Sequence, residues 1–590
     1  MPHFKIASRV FLLASLVFII INNSAFALTA DQEAAVNQLN KKLQRDNERL
    51  FEEERRKIDE QELLKPAPKI EVIKPESSLN LDDKKCFTIN EIKLTGSESL
   101  LKQERAEIIK SYQNKCLSLA DIEELRVQIN NFYIDKGYIM SRVYLAPNQN
   151  LKSGILEFEI KEGEIEEISI NGNRKLSDRT RILTAFPYDQ QSFNLRDVEQ
   201  GLDQINRLQS SNATMKILPG SEGGKSIVEI VNDEKRTTSA KIGYDNLGQE
   251  STGERRRILT LQQDNLLMLN DNLYINYTHD QEGNDQIRYN QNLYTSFSVP
   301  YGYWLYQIAA TDSKYLNTVK LPNSTLKSSG ETQSYSLEIN RVIQRGKRTN
   351  TSLSGNLTKR NTASFADGYK LEVGSRKLTT LDLGLKHRLN LNATNLSFGA
   401  NYVRGLSALN ALQDPENLKS DDPKAQFEML QFNAALYKKF QLFTQDFNFS
   451  SNISGQISKD ALYSSEQISI GDFYSVRGFK NNSISSDNGG YIRNELSMRM
   501  PKITEKFYID RALQGLSFFV GYDYGMVRSK PKSDASLNGK NRAYLSGFAA
   551  GVKHYDKYFD YSFTYAESLS SPSFVREKNR EIYFNVSFSI

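Results

Sequence analysis

The chain ends Glu581-Ile582-Tyr583-Phe584-Asn585-Val586-Ser587-Phe588-Ser589-Ile590, and the reading of this stretch decides the fold. Successive side chains of an extended strand point to opposite sides, so Ile582, Phe584, Val586, Phe588 and Ile590 share one face while Tyr583, Asn585, Ser587 and Ser589 share the other. One face suits lipid and the other suits water. The pattern recurs upstream, where Phe559, Tyr561, Phe563 and Tyr565 alternate with Asp560, Ser562 and Thr564. In the segment from Tyr491, the residues Arg493, Glu495 and Arg499 share one side, and Ile492, Leu496 and Met498 the other. A charge facing lipid at mid-bilayer costs about 2 to 4 kcal/mol, so these three must point into a lumen. By the same alternation Leu516, Phe518, Val520, Tyr522 and Tyr524 face outward, and Asp523 faces inward.

Residues 237–590 hold about sixteen such segments, roughly 22 residues per strand with its turn, which suits membrane strands of about 9 to 11 residues. The expected fold is therefore a transmembrane antiparallel β-barrel. A mean hydropathy of -0.54 does not oppose it, because the polar lumenal side of each strand dilutes the apolar one. Tyr and Phe, 30 of each against one Trp, cluster in this half, where amphipathic rings suit membrane interfaces. The alternative is a large soluble sandwich with one wet face; the strand number, the aromatic load and the leader described next argue against it jointly.

Lys5 and Arg9 precede an apolar run from Val10 to Ile21 and then Ala25-Phe26-Ala27, so residues 1–27 read as a secretory signal peptide. Residues 28–64 are dense in Glu, Gln, Lys, Arg and Leu without Gly or Pro, which favours a solvated helix lacking a broad apolar face. Lys65-Pro66-Ala67-Pro68 opens a linker that reaches residue 85. Between linker and barrel the order β-α-α-β-β occurs twice, over 86–162 and 163–236. The first copy starts with a strand carrying Phe87, Ile89, Ile92 and Leu94; the second has the turn Asn171-Gly172-Asn173 after Ile170. Two cysteines, Cys86 and Cys116, enter an oxidising compartment and are read as one disulfide, against two free buried thiols.

Several functions are disfavoured. The net charge of +5 arises from 76 basic and 71 acidic residues, so there is no strongly basic face for nucleic acid. No catalytic residue is expected: of four histidines, His3 lies in the leader, and His279, His387 and His554 stand in strand or turn contexts without a nucleophile motif. Metal and cofactor are expected to be none, and no Gly-Lys-Ser/Thr phosphate loop occurs.

The chain resembles the outer-membrane transporters of two-partner (type V) secretion, the family that serves haemolysins, filamentous haemagglutinins and contact-dependent inhibition toxins, within the Omp85 superfamily. The resemblance covers nearly everything after the leader. The stretch from Cys86-Phe87 through Gly137-Tyr138-Ile139 to Glu162-Gly163 looks like the first POTRA domain, and Asn194-Leu195-Arg196-Asp197-Val198-Glu199-Gln200-Gly201-Leu202 with Pro219-Gly220 like the second. Val476-Arg477-Gly478-Phe479, between the eleventh and twelfth strands, resembles the tip of a loop folded back into the barrel. Gly521-Tyr522-Asp523-Tyr524-Gly525 resembles the facing strand motif, which implies that Arg477 pairs with Asp523. Ile590 departs from the aromatic residue common at the end of such barrels.

The resemblance further implies that the helix and the folded-in loop obstruct the pore. It implies POTRA domains in the periplasm, a large secreted exoprotein with an N-terminal secretion domain as partner, outer-membrane lipid around the barrel and the barrel assembly machinery during biogenesis. An Omp85-type insertase of other barrels is the alternative; it typically carries more POTRA copies and lacks the N-terminal helix and Pro-rich linker.

Overall fold

The computed structural model describes residues 85–590 apart from 174, 188–191, 281–286, 321–324, 501–514, 530–540, 557 and 576–579. The expected leader, the helix over 28–64 and the linker as far as 84 lie outside the described residues.

The first periplasmic module is built on the strand Ile155–Lys161, which runs parallel to Glu91–Thr95 and antiparallel to Arg142–Leu145. Helices Lys102–Lys110 and Leu119–Lys136 cover it. The longer helix starts at Ser118, whose hydroxyl accepts from the Asp121 amide while the Asp121 carboxylate accepts from the Ser118 amide at 2.8 Å. The Ser118 amide and, at 2.7 Å, the Ser118 hydroxyl both donate to the Asp121 carboxylate and hold it below the usual carboxylate range, while the reciprocal bonds satisfy amide groups that the first helical turn leaves unpaired. Leu125, Ile129, Tyr133, Leu156 and Phe158 fill the core. The single opening strand expected from Phe87 to Leu94 is in fact two. Gly154 O accepts from both Asn90 N and Glu91 N, and there the chain changes sheets. Its first half, Cys86–Ile89, pairs with a strand Lys115–Ser118 that has no clear alternation of its own. The disulfide Cys86–Cys116, with Cα atoms 5.3 Å apart, spans this small sheet.

The second module repeats the plan, with Lys225–Asn232 central between Glu164–Ile170 and Ala213–Pro219, under helices Leu176–Ala185 and Leu195–Asn206. It is docked on the periplasmic turns of the barrel through polar contacts. Gly302 N donates to Thr184 O at 2.9 Å, and Gln204 Nε2 donates to Gly302 O at 2.8 Å. Arg345 reaches Asp203 at 2.7 Å, Arg181 Nε donates to Asn270 Oδ1 at 3.0 Å, and Ser210 N donates to Asp264 Oδ2 at 2.8 Å. The Tyr303 hydroxyl donates to Asp197, whose carboxyl is pushed up by burial in this interface. Gly302 has φ +56, and a side chain there would press on the backbone of Pro187, so the turn that receives the module suits only glycine.

Sixteen long antiparallel strands, from Thr238–Asp245 to Arg580–Ser589, form a closed barrel. The closing seam pairs Asn585 opposite Asp245 through Ser589 opposite Lys241, is continued by the mutual backbone hydrogen bonds of Ala240 and Ile590, and is prolonged at its other end by the Asn246 side chain, which bonds Ile582 O and Phe584 N. Alternation sorts the wall as expected: Tyr522 is 48% exposed outward, while Asp523, next to it, is fully buried on the lumenal side. Leu516 is an exception. It lies just before the strand Ser517–Arg528 begins, and it is buried instead of lipid-facing. The sixth strand runs 21 residues, Thr325–Arg345, well beyond what a bilayer requires, so this side of the barrel projects past the membrane.

Closing a loop across a sequence separation of 30, the disulfide is worth about 3 to 4 kcal/mol to the first module in the chain-entropy picture. Cys86→Ser should therefore lower the urea midpoint of this module relative to the oxidised parent, and the difference should vanish when the parent is reduced, without altering the heat-modifiable migration of the barrel. An unchanged midpoint would show that the crosslink contributes nothing to stability.

Candidate functional site: a loop seated in the lumen

The eleventh strand, Gln445–Ser458, and the twelfth, Asn488–Arg499, are joined by residues 459–487, which turn back into the barrel. A short hairpin, Ile468–Ile470 against Ile484–Ser486, carries the tip. The tip is pre-shaped by one carboxylate: Asp472 Oδ1 accepts from Tyr474 N at 2.7 Å, Ser475 N at 2.6 Å and Ser475 Oγ at 2.9 Å. Gly478 has φ +94, and a Cβ there would come within 2.7 Å of the backbone of Glu567 and Ser568 on the fifteenth strand. Val476 and Phe479 are buried with Ile470, Ile484, Val527 and Leu545, so the tip packs as a small core against the inner wall.

Between these two apolar anchors stands Arg477, fully buried. Its Nε lies 2.7 Å from Asp523 Oδ2 and its Nη2 lies 2.9 Å from Oδ1, a bidentate pair, while its own backbone N–H donates to Oδ2 at 3.1 Å. Nη1 reaches Glu495 Oε2 at 3.2 Å, and Nη2 donates to Asn494 O at 3.3 Å. Glu495 is shared with Lys553, and the ring of Phe519 lies 5.8 Å from the guanidinium and 5.3 Å from the Lys553 ammonium. Arg493 Nη1 donates to Phe473 O at 3.0 Å, and Phe473 packs on Tyr583 with ring centroids 5.0 Å apart. The loop is thus fastened to the wall from the twelfth strand to the sixteenth.

The wall is shaped for this contact. A Cβ on Gly525 would sit 2.9 Å from Val476 Cγ2, a Cβ on Gly547 would overlap the Arg477 carbonyl oxygen, and one on Gly521 would overlap its guanidinium. All seven residues of the two sequence motifs, Val476, Arg477, Gly478, Phe479, Gly521, Asp523 and Gly525, lie at one place. Cys86 and Cys116 belong to the first module, and His279, His387 and His554 are dispersed over three different strands. Among the described residues no group of His, Cys, Asp and Glu is placed to hold a metal. Sequence reasoning missed Glu495 as the second acceptor for Arg477, and missed Lys553, Gly547 and Asp472. Alternation had put Glu495 in the lumen, but nothing in the pattern says which lumenal charges meet.

Removing one partner of a buried ion pair leaves the other desolvated and costs about 3 to 5 kcal/mol. Arg477→Ala or Asp523→Ala should therefore unseat the loop, making 459–487 sensitive to protease in outer-membrane vesicles while the barrel stays heat-modifiable. The double exchange Arg477→Asp with Asp523→Arg should restore protection only in part, because it sets a new carboxylate beside Glu495. Full protection in either alanine variant would mean that the apolar anchors alone hold the tip.

Comparison with known proteins accords with this architecture. Residues 224–554 match the haemolysin secretion/activation protein family ShlB/FhaC/HecB, residues 87–163 a ShlB-type POTRA domain and residues 164–219 a further POTRA domain. The chain is 31% identical over 508 residues to the outer membrane transporter CdiB of Dickeya dadantii, covering 85% of this chain and 87% of that protein. It is 32% identical over 414 residues to the haemolysin transporter protein ShlB of Serratia marcescens, covering 70% and 72%. The solved structure of CdiB from Escherichia coli superposes with a TM-score of 0.80 at 27% identity, over 96% of this chain and 100% of that one. With its closed sixteen-stranded barrel in the outer membrane and its POTRA domains in the periplasm, this chain belongs to the ShlB/FhaC/HecB family of haemolysin secretion/activation proteins within the Omp85 superfamily.

Proposed function

We propose that this chain binds a large unfolded partner protein in the periplasm and passes it through the barrel to the cell surface without ATP. The observation that carries this reading is the seated loop: a closed barrel holds across its lumen a 459–487 segment whose tip is fixed by the buried Arg477 with Asp523 and Glu495 and by a few apolar anchors, and whose flanks are held by the ion pairs of Glu466 with Arg360 and Lys480 with Glu254, polar contacts suited to being broken and restored. The relatives whose names state a cargo are transporters of a haemolysin or of heme/hemopexin, and a large secreted exoprotein is what the lumen of this chain would pass.

The edges of the module sheets support the capture step. Arg142–Leu145 and Glu91–Thr95 are edge strands in the first module, and Tyr144 and Leu145 are exposed on the former, so an extended segment of cargo can add a strand there. The second module, fixed on the periplasmic turns at Gly302 and Arg345, holds captured chain beside the mouth of the barrel. The sequence carries no phosphate-binding Gly-Lys-Ser/Thr loop, and each domain of cargo that folds outside is stable by about 5 to 15 kcal/mol, enough to oppose backsliding. In this reading the charged segment 28–64 shares the resting obstruction with the loop.

Deleting residues 86–162 should leave a heat-modifiable barrel in the outer membrane and abolish secretion of the partner. Secretion at the normal level would remove the first module from the role of receptor. Deleting residues 30–64 should raise single-channel conductance in planar bilayers; unchanged conductance would place that segment outside the pore.

A further inference from the structure

At the outer rim of the barrel, among the described residues, three strand pairs end on a cross-strand pair of long charged side chains facing away from the lumen. Arg404 stands opposite Glu428, with Nε 3.7 Å from Oε1, and Glu567 opposite Arg580, at 3.6 Å. Both are opposite-charge pairs, which stabilise a ladder. The third breaks the rule. Arg528, the last residue of the strand Ser517–Arg528, stands directly opposite Arg542, the first of the strand Arg542–Tyr555, and both are exposed.

Like charges directly opposite destabilise a sheet, and among the described residues neither guanidinium has an acidic partner. Below them on the same outward face come Met526 opposite Tyr544, then Tyr524, and Tyr522 opposite Phe548. All five are exposed, so a pair of cations caps an apolar and aromatic strip at the level of the outer leaflet. Strand direction fixes that level. The chain enters the first strand from the periplasmic modules, so odd-numbered strands run outward, and Arg528 ends the thirteenth.

We propose that Arg528 and Arg542 clamp a phosphate group of a phosphorylated glycolipid of the outer leaflet, the lipid A portion of lipopolysaccharide, with its acyl chains lying on the strip of Met526, Tyr544, Tyr524 and Tyr522. Two planar guanidinium groups side by side match the oxygens of one phosphate and remove their mutual repulsion once it is bound. The apolar strip beneath decides the source of that phosphate: a free anion has nothing to place there, whereas an acylated one covers it. The site lies on the outer face of the strand whose inner face carries Asp523, so a bound glycolipid steadies the wall to which the loop is fastened.

The test uses the full chain in detergent, titrated with hexa-acylated bisphosphorylated lipid A, with the same lipid A after dephosphorylation, and with inorganic phosphate as competitor. The variant R528Q/R542Q should bind phosphorylated lipid A about tenfold more weakly than the parent, as expected for losing charge-assisted hydrogen bonds, with R528K/R542K between them. Dephosphorylated lipid A should bind parent and R528Q/R542Q alike, and millimolar phosphate should not compete. R404Q, which removes a cation from a neutralised pair, should bind as the parent does, and heat-modifiable migration should be the same in every variant. Equal affinity of R528Q/R542Q and the parent overturns the proposal. So does an equal loss in R404Q, which would mark a general rim-charge effect, and so does full competition by phosphate, which would mark a site for the free anion. Should R528Q/R542Q not fold, R528K/R542K carries the test alone: an affinity equal to the parent's overturns the proposal.

Discussion

A guanidinium carried on a loop can be buried inside a barrel only if carboxylates are already waiting in the wall, because a lone buried charge is far costlier than a paired one. The pair of Arg477 with Asp523 meets that condition, and much of the surrounding sequence serves it. Asp472 folds the tip so that Arg477 is presented between Val476 and Phe479. Glycine at 521, 525 and 547 lets the loop backbone and its side chains lie against the strands, and glycine at 478 lets the chain turn under the fifteenth strand. Glu495 and Lys553 complete the charge balance around the guanidinium. Change the pair, and these features lose their common reason.

The second constraint acts from the periplasmic side. The second POTRA domain does not hang from a free linker; its helices Leu176–Ala185 and Leu195–Asn206 are hydrogen-bonded to the turns that follow the second, fourth and sixth strands. These contacts are polar and charged, with Asp197, Asp203, Arg181 and Arg345 all engaged. A polar interface of this sort can part and re-form with less penalty than a packed apolar one. Force applied to the module by captured chain would be delivered to the barrel turns, whereas the loop tip is fastened inside the lumen to the twelfth to sixteenth strands.

Much of this was legible in the sequence, and the physical reason is the same throughout. A membrane strand must present one apolar and one polar face, so a period of two residues is written into each strand, most openly in Ile582 to Ile590. Asp523 could be placed in the lumen by that period alone. Other features depend on meetings between distant segments, which leave no local trace. The break at Asn90 is set by Gly154 O from another part of the module, and the strand Lys115–Ser118 exists because Cys86–Ile89 needs a partner. Glu495 and Gly547 become part of the site only when three strands and the loop converge. Leu516 continues the outward period in sequence, yet the strand starts one residue later and the side chain is covered.

The central claim is that the loop tip must leave the wall for cargo to pass, and a reversible covalent lock tests it most directly. Val476 Cγ2 and the position of a Cβ on Gly525 lie 2.9 Å apart, so Val476→Cys with Gly525→Cys can be bridged when oxidised; because a Cβ at 525 also meets Ile470 Cγ2 at 3.1 Å, the reduced double variant shows whether the added atoms alone unseat the tip, and the parent chain with its native Cys86–Cys116 bond is carried through the same treatments. The expected result is that the oxidised double variant inserts normally but secretes no partner, and that reduction restores secretion to the level of the equally reduced parent. Secretion at the parental rate through the locked transporter would contradict the claim and leave the seated loop as a structural brace.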